Sequence, residues 1–353
     1  MCNVENQKDM KKIITILGIV LLFAGCKKEY NYYNTYVTNV DSVYTSYYYQ
    51  TVLLEQQEIT DDIRPAYLKK GDTVGVFALS NYVTESDLAA GIATLKNWGL
   101  HVEEAENLYN QDGRYAGTQS ERIEGFQKLV DNPHVKALIA ARGGYGVAQV
   151  LSFIDFSALE KYPKWVVGYS DVTGLHIALN NRGIESIHGP MVKDFSDAES
   201  VESLRKALFG ELQQQSISTN ADCVEGTAEG RLVGGNLSLT YSLGGTLFDL
   251  NVKSAILFIE DTGEANYAID RMLANLKLSG KLDCIKGVVV GDFTSMSQGN
   301  DRPINEIIHN YFGDLNVPIL YGIKIGHGTK NLATYLGRTV SLEVNSKEAI
   351  IRY

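Results

Sequence analysis

Apolar and polar residues follow one another in blocks whose spacing switches between the strand period and the helix period. The apolar run at 165–167 predicts a buried parallel strand, and the apolar spacing from Val172 to Leu179 predicts a helix after it. Ser170 lies at the turn between them. A serine at a tight strand-to-helix turn is held clear of both elements, near the free N–H groups of the helix N-terminus. Ser170 is therefore a candidate nucleophile, and an ordinary helix N-cap is the alternative.

The same alternation is present upstream of this turn. It predicts strands over 73–79, 101–105 and 135–140, and helices over 85–98 and 121–131. Strands that alternate with helices of this length form βαβ units, in which a parallel sheet carries helices on its faces. Ligands bind such sheets at the carboxyl ends of the strands, where Ser170 falls. We therefore predict an N-terminal α/β domain over 63–190 that carries the nucleophile.

From about Gly226 onward the pattern predicts shorter strands. These are expected over 230–235, 255–258 and 285–292, with helices over 237–243 and 265–278 and a closing hairpin within 335–353. The predicted fold class is α/β, with an N-terminal parallel sheet flanked by helices and a smaller, β-rich α/β domain over 226–353. Residues 191–225 are predicted to link the two domains.

Composition and charge narrow the function further. The chain has 353 residues, 44% of them hydrophobic and 21% charged, which is enough for two cores. Its net charge is −10 and it has no Lys/Arg cluster to neutralise phosphates, so we expect no nucleic-acid partner. Neither Cys-x-x-Cys spacing nor paired histidine spacing occurs, so the sequence predicts no metal and no cofactor.

The first 25 residues have the layout of a secretory signal peptide. A lysine pair at 11–12 precedes a short apolar stretch over 13–23, which ends in Ala24-Gly25-Cys26. This end resembles a bacterial lipobox, which implies cleavage before Cys26 and acylation of that residue. The implied location is the cell envelope, with a lipid anchor at Cys26 and the protein facing the periplasm or the exterior; an uncleaved anchor is the alternative. A Tyr-rich spacer over 26–62 follows.

A glycine turn follows the predicted strand at 135–140. Its sequence is Ala141-Arg142-Gly143-Gly144-Tyr145-Gly146, and a helix begins after it. Exposed backbone N–H groups in such a turn can bind an anion. The turn lacks both the Lys-Ser/Thr of a P-loop and the GxGxxG spacing, which argues against a phosphate or dinucleotide site. Because a neighbouring βα unit ends at Ser170, an oxyanion hole is the simpler interpretation.

Acidic and histidine residues elsewhere supply the partners that a nucleophile needs. Glu260 and Asp261 follow an apolar strand, which places carboxylates at the edge of a core, and His327 is flanked by glycines that leave an imidazole uncrowded. His188 is a candidate pocket residue, or one that supports the pocket from behind the residues that contact substrate. His176 falls within a predicted helix and is expected to be a packed side chain.

Together these motifs resemble the LD-carboxypeptidase family of serine peptidases, and the similarity runs from Arg64 to the end of the chain. The motifs occur in the family's order and are Arg64-Pro65, 68–74, Tyr115-Ala116-Gly117-Thr118, Arg142-Gly143-Gly144-Tyr145-Gly146, Gly168-Tyr169-Ser170-Asp171, His188-Gly189-Pro190-Met191, Gly234-Gly235-Asn236-Leu237, Phe258-Ile259-Glu260-Asp261 and Gly326-His327. One departure is Leu79, where the family more often has proline.

The resemblance implies a Ser-Glu-His triad at a domain interface. Ser170 would be the nucleophile from the first domain, His327 the general base and Glu260 the acid that orients the imidazole, both from the second domain. The backbone N–H groups implied for the oxyanion hole are those of Asp171 and of Gly143 or Gly144. Family members are often homodimers, so a homodimer is an expectation here.

The family reaction is hydrolysis of an amide that joins an L-configured centre to a terminal D-amino acid, as in the release of D-alanine from a murein tetrapeptide. Such a substrate carries a free carboxylate beside the scissile bond, which a cation is expected to bind. Arg142 is the candidate cation. The residues predicted to contact the murein peptide are Arg142, Tyr145 and His188.

Three other functions stay open at this point. A hydrolase of peptidyl-nucleotide antibiotics of the microcin C type would share the triad. An α/β-hydrolase esterase would share the order of serine, acid and histidine, but Val172 stands where the Gly-x-Ser-x-Gly turn needs its last glycine. A surface lipoprotein that binds cell-wall peptides without cutting them would need none of the triad chemistry.

Overall fold

The computed structural model describes residues 56–353 of the chain. The predicted signal peptide, the lipid anchor at Cys26 and most of the Tyr-rich spacer lie outside the described residues and stay predictions. Within 56–353, none of the helices combines the length and the apolar composition needed to cross a bilayer.

Thirteen strands and nine α-helices make up this described part. The strands are β1 (Thr73–Phe77), β2 (His101–Glu104), β3 (Val135–Ala140), β4 (Trp165–Gly168), β5 (Ser186–His188), β6 (Gln214–Ser218), β7 (Gly226–Asn236), β8 (Ile256–Thr262), β9 (Gly287–Thr294), β10 (Ile319–Gly326), β11 (Thr334–Leu336), β12 (Thr339–Val344) and β13 (Glu348–Arg352). The helices are α1 (Glu85–Asn97), α2 (Gln119–Asp131), α3 (Val147–Val150), α4 (Ser157–Lys161), α5 (Thr173–Asn180), α6 (Ala198–Leu208), α7 (Leu237–Ser242), α8 (Asn266–Leu278) and α9 (Ile304–Phe312).

The first sheet has the order β2-β1-β3-β4-β5-β11. Its first five strands are parallel and β11 is antiparallel to β5. Capping boxes at Thr84 and Thr118 fix the starts of α1 and α2, because each threonine and the acid three residues later satisfy one another's backbone N–H groups. The predicted order of strands and helices from 73 to 180 is confirmed, and so is the parallel sheet.

The second sheet has the order β10-β9-β8-β7-β12-β13-β6. Strands β7 to β10 are parallel, whereas β12, β13 and β6 extend the sheet in antiparallel pairing. β12 and β13 form the predicted closing hairpin. Strand β7 has eleven residues, longer than the short strand expected from its sequence, because its first half pairs along β12 and its second half along β8.

The predicted linker over 191–225 is itself folded. It contains α6, which buries Leu204, Ala207 and Leu208, and β6, which forms an edge of the second sheet. Strand β11 comes between β10 and β12 in the sequence, two strands of the second sheet, but it joins the first sheet. The chain therefore crosses between the sheets more often than a simple pair of consecutive domains requires.

The folded part also begins before the predicted boundary at residue 63. The Gln56 side chain donates to the Leu250 carbonyl over 3.2 Å, and Asn251 donates to the Gln57 carbonyl over 2.9 Å. Residues 56 and 57, expected as spacer, therefore lie on the fold. Further along, Glu185 is fully buried and accepts hydrogen bonds from Arg64 and Arg338, each at 2.9 Å, which ties the start of the folded chain to its C-terminal part.

Candidate active site

The turn after β4 holds Ser170 in a strained conformation. Ser170 has φ of 60°, a left-handed value that costs a non-glycine residue about 1–3 kcal/mol and is concentrated at functional sites. A short 3₁₀ turn over Ser170–Val172 leads into α5. Gly168 is required here, because a Cβ at this position would lie 2.7 Å from the Val172 side chain. No side-chain capping bond starts this turn or α5, so the N-cap alternative for Ser170 is wrong.

The side chain of Asp171 holds the turn at Ser170 in place. Its carboxylate is fully buried and accepts hydrogen bonds from the Ser80 hydroxyl over 2.5 Å and from the Val147 backbone N–H over 2.9 Å. Burial raises the pKa of Asp171, while these two donors and the charge of Arg122 oppose the shift. One side chain thus connects the nucleophile turn, the end of β1 and the start of α3.

The glycine turn lies beside the nucleophile. A Cβ built on Gly143 would lie 3.2 Å from the Cβ of Ser170 and 3.4 Å from its Oγ. Gly144 has φ of 129°, and a Cβ there would lie 2.3 Å from the side chain of Asn81. Only glycine therefore lets the Gly144 backbone take this path next to Asn81. The predicted proximity of the glycine turn and Ser170 is present in the structure.

Arg122, on α2, supports the glycine turn. Its guanidinium is buried, donates to the carbonyls of Leu79 over 2.6 Å and of Gly146 over 3.3 Å, and lies 4.7 Å from the centroid of the Tyr115 ring. A planar guanidinium can hold several carbonyl oxygens in fixed directions. Arg122 therefore ties Gly146, at the end of the glycine turn, to Leu79, which follows β1.

Glu260 and His327 form a hydrogen-bonded pair at the end of the second sheet. The Nδ1 atom of His327 lies 2.7 Å from Oε2 of Glu260. The pairing of β8 with β9 shifts between Ile259 and Asp261, and such an irregularity re-aims a side chain at the end of a strand. Glu260 is fully buried, and its other oxygen, Oε1, has no protein partner within the described residues.

The electrostatics of this pair favour a protonated imidazole. Burial alone lowers the pKa of His327, but the hydrogen bond and charge of Glu260, with the charges of Asp261 and Asp194, produce a net rise above the ordinary value. Burial raises the pKa of Glu260, and the hydrogen bond from His327 opposes that rise. A base in this setting is stabilised when it accepts a proton.

The two halves of the site meet through side chains next to Ser170. The ring of Tyr169 packs edge-on against the His327 ring, with 4.8 Å between centroids. The Asn236 backbone N–H donates to the Thr173 hydroxyl over 3.1 Å, and the Asn236 amide donates to Asp261 over 3.1 Å. The helix that follows the nucleophile is therefore linked to the carboxylate adjacent to Glu260.

Within residues 56–353, no hydrogen bond joins Ser170 to His327. The Glu260–His327 hydrogen bond is formed and Gly143 lies beside Ser170, but the contact through which His327 would take the Ser170 proton is not made. Catalytic hydrogen bonds of this kind are often long in unliganded enzymes and shorten when substrate binds.

The three predicted substrate contacts occupy different environments. Arg142 is half-buried and donates to the Tyr82 carbonyl over 3.3 Å. Tyr145 is 44% exposed, and its ring lies 6.4 Å from that of Tyr115. His188 is fully buried in β5, where its imidazole lies 5.1 Å from the Phe258 ring and 5.9 Å from the Tyr169 ring, and its role as a substrate contact stays a prediction.

Two further histidines near the site, His188 and His176, are buried. Burial lowers the pKa of His188 well below its ordinary value, and neither ring nitrogen has a protein partner within the described residues. His176 is the packed side chain expected from the sequence, since its nitrogens lie 2.9 Å from the Ser186 hydroxyl and 2.9 Å from the Gly168 carbonyl. In residues 56–353 no group of three or more His, Cys, Asp and Glu side chains is arranged to hold a metal.

Comparison with known proteins assigns this arrangement to a family. The LD-carboxypeptidase N-terminal domain model matches residues 74–189, and the LD-carboxypeptidase C-terminal domain model matches residues 229–342. A protein of Bacillus subtilis (strain 168) named "Probable murein peptide carboxypeptidase" is 36% identical, over 82% of this chain and 94% of its own length. The chain belongs to the LD-carboxypeptidase family. It is a serine-type carboxypeptidase, as its sequence motifs imply.

Solved and curated relatives of this LD-carboxypeptidase fall into two groups. The crystal structure of muramoyltetrapeptide carboxypeptidase from Oxalobacter formigenes aligns with a TM-score of 0.72 and 28% identity, over 79% of this chain and 97% of the other. The Microcin C7 self-immunity protein MccF of Escherichia coli is 24% identical, over 81% of this chain and 94% of its own length. The predicted two-domain α/β fold class is confirmed by these likenesses and by the two sheets.

The sequence alone does not predict the roles of several residues in the site of this LD-carboxypeptidase. Tyr169 and Asp194 lie near His327, and the Asp171 side chain and Arg122 hold the turns in place. A signal is present for Arg122, since it falls on the apolar face of a predicted helix where a charge needs a buried partner. Nothing in the local sequence indicates that Asp194 approaches the second sheet.

The remaining cysteines take no part in the site. Cys223 and Cys284 are both free thiols in the structure. Burial raises the pKa of the Cys284 thiol, which disfavours the reactive thiolate.

Proposed function

We propose that this LD-carboxypeptidase hydrolyses the amide bond between an L-configured centre and a terminal D-amino acid, releasing D-alanine from murein tetrapeptides. The observation that carries the proposal is the convergence of a strained serine with a buried Glu–His pair across the Tyr169 ring. Relatives named as murein peptide and muramoyltetrapeptide carboxypeptidases supply the substrate class.

The proposed mechanism assigns each proton to an atom. His327 Nε2 removes the Ser170 proton while Oγ attacks the scissile carbonyl, and the Glu260 carboxylate holds Nδ1–H so that Nε2 is the free base. The backbone N–H groups of Asp171 and of Gly143 or Gly144 stabilise the oxyanion. His327 then protonates the departing amine of D-alanine, and water hydrolyses the acyl-enzyme by the same proton path.

Arg142 is proposed to bind the terminal carboxylate of the substrate. Arg142 directly precedes Gly143, whose Cα faces Ser170 closely enough that an added Cβ would lie 3.2 Å from the Ser170 Cβ, so this cation is attached beside the nucleophile. Within the described residues Arg142 forms no ion pair with an Asp or Glu, although acids outnumber Lys and Arg by 42 to 32 in the chain. A guanidinium without an acidic partner is available for bidentate binding of a carboxylate.

The test is to incubate the protein with a murein tetrapeptide and with its all-L counterpart, and to follow release of the terminal alanine by mass spectrometry. We expect release of D-alanine only, a loss of about 10⁴-fold or more in Ser170→Ala with an unchanged circular dichroism spectrum, and a higher KM with a smaller change in kcat in Arg142→Gln. Equal activity in Ser170→Ala would refute the mechanism. Equal KM in Arg142→Gln would remove that residue from carboxylate binding.

A peptidyl nucleotide of the microcin C type is the second candidate substrate. The likeness to MccF supports it, and so does the exposed ring of Tyr145 beside Tyr115, since exposed aromatic rings can stack on a nucleobase. The same assay with such a substrate separates the two. Cleavage of the peptidyl nucleotide without release of D-alanine would replace the murein proposal, and no cleavage of either, with substrate binding retained, would favour the non-catalytic peptide-binding protein.

We further propose that a lipid anchor at Cys26 holds the enzyme in the cell envelope, on the strength of the lipobox-like sequence. The full-length Cys26→Ser variant should leave the membrane fraction and appear in the soluble fraction. Continued retention in the membrane would instead indicate an uncleaved anchor over 13–23.

A further inference from the structure

The loop that carries His327 is held by α6, the helix of the segment predicted as a linker. This loop runs from the end of β10 at Gly326 to the start of β11, and three of its residues contact the first turns of α6. The contacts are a hydrogen bond from Asn331 N–H to the Ser200 hydroxyl at 2.9 Å, one from Ala333 N–H to the Ser203 hydroxyl at 2.8 Å, and an ion pair between Lys330 and Glu199.

Ser200 is oriented to accept the bond from the loop. It is 2% exposed, and its hydroxyl donates to the Asp197 carboxylate over 2.6 Å, while its backbone N–H donates to the same oxygen over 2.8 Å. Because a serine hydroxyl has a single proton, the bond to Asp197 leaves the oxygen lone pairs for Asn331 N–H. The carboxylate that caps α6 therefore fixes the direction in which Ser200 accepts.

The hydrogen bonds continue from Ser200 to the residue before His327. The Asn331 side-chain oxygen accepts from the Gly326 N–H over 3.0 Å, and Asn331 is only 7% exposed. Gly326 has φ of 126°, and a Cβ there would lie 2.7 Å from Oε2 of Glu260. The backbone before His327 is thus confined between Asn331 on one side and the catalytic carboxylate on the other.

We propose that Ser200 is a positioning residue for His327, acting through Asn331 and Gly326 without touching substrate or imidazole. The inference rests on the proposed function of His327 as the base. Within the described residues no hydrogen bond joins Ser170 to His327, whose imidazole is bonded to Glu260, so the rate depends on how narrowly the loop restricts the imidazole. A displacement of about 1 Å of a catalytic group can lower the rate about 100-fold.

Ser203→Ala is the matched control for Ser200→Ala. Both serines lie on the same face of α6, three residues apart, and each accepts one backbone N–H from the same loop. Only Ser200 is connected by hydrogen bonds, through Asn331, to Gly326. We expect kcat on the tetrapeptide to fall about tenfold to 100-fold in Ser200→Ala with KM unchanged, and by less than about twofold in Ser203→Ala, with similar decreases in melting temperature.

Asn331→Ala removes the hydrogen bond from Gly326 N–H to the Asn331 side chain, which is the next contact between Ser200 and His327. This variant tests the same proposal if Ser200→Ala does not fold. Residues that act through one chain of contacts give non-additive effects. The double variant should therefore lose no more kcat than the worse single variant. Equal kcat in Ser200→Ala and Ser203→Ala, or fully multiplicative losses in the double variant, would overturn the inference.

A fluorophosphonate that labels the nucleophilic serine supplies a readout that does not depend on the peptide. The rate of labelling of Ser170 should fall in Ser200→Ala and Asn331→Ala but not in Ser203→Ala. If the wild type is labelled yet releases no D-alanine, the murein proposal fails while this comparison still decides the role of Ser200. If the wild type releases D-alanine and all variants are labelled at its rate, the positioning role fails alone.

Discussion

The turn that carries Ser170, the proposed nucleophile, and the Glu260–His327 pair, the proposed acid and base, are built in different ways. The turn comes from one continuous stretch, β4 to α5, and its strain at Ser170 is held by local contacts with Gly168 and Asp171. Glu260 and His327 are 67 residues apart, and their geometry depends on a shifted strand register and on α6.

Both regions contain a buried carboxylate whose pKa burial raises, and the comparison shows what each does. Asp171 accepts two hydrogen bonds from uncharged groups of the fold, Ser80 and Val147. Glu260 accepts one from His327, a group that gains charge in the proposed mechanism. Loss of the Asp171 carboxylate should therefore appear mainly in stability, and loss of the Glu260 carboxylate mainly in rate and pH dependence.

Among the changes that compare the two carboxylates, Glu260→Gln is expected to have the largest effect on the rate. The amide can still accept from Nδ1 but cannot stabilise the imidazolium by charge, and it can reverse to favour the wrong tautomer, so kcat should fall about 10³- to 10⁴-fold with little change in melting temperature. The base must be unprotonated to act, and Glu260 raises the pKa of His327. The variant should therefore retain its residual activity to lower pH than the wild type, measured as the pH profile of kcat/KM.

Asp261→Asn is the control for this change. Asp261 is buried beside Glu260 but bonds to Asn236, Ser238 and Thr262 and not to His327. The charge of Asp261 raises the pKa of His327 without fixing the tautomer. In Asp261→Asn the acidic limb of the pH profile should therefore shift in the same direction as in Glu260→Gln, with a far smaller loss of kcat. Equal losses in the two variants would mean that charge alone, and no specific hydrogen bond, accounts for the role of Glu260.

The same contrast explains what the sequence could predict. Ser170, the glycine turn and the strands around them follow from periodicity within short segments, and the structure has them where the sequence predicts. The burial of His188 follows from tertiary structure, because β5 pairs with β4 on one side and with β11, far along the chain, on the other.

The predicted linker shows a different limit. The apolar positions of α6, at Leu204, Ala207 and Leu208, follow a helical spacing that was available in the sequence. Two of its charged residues, Glu202 and Arg205, pair with one another on the outer face. The contact of Ser200 with Asn331 joins residues 131 positions apart, so only tertiary packing reveals it.

The smaller catalytic effect, and the larger loss of stability, is expected for Asp171→Ala. The change leaves the Ser80 hydroxyl and the Val147 N–H buried without an acceptor, which costs about 1–3 kcal/mol for each group, so the free energy of unfolding should fall by about 3 kcal/mol. The nucleophile turn loses its support and kcat should decrease, but His327 keeps Glu260, so the acidic limb of the pH profile should not move.

Asp171→Asn separates the hydrogen bonds of Asp171 from its charge. The amide oxygen can occupy the position of Oδ2 and accept from both Ser80 and Val147, while the cost of burying a charge disappears. Chemical unfolding should therefore show most of the lost stability restored in Asp171→Asn. If the asparagine variant is as unstable as the alanine variant, the negative charge, through Arg122, holds the turn; if either variant moves the acidic limb, the two regions share one electrostatic network and the division of roles fails.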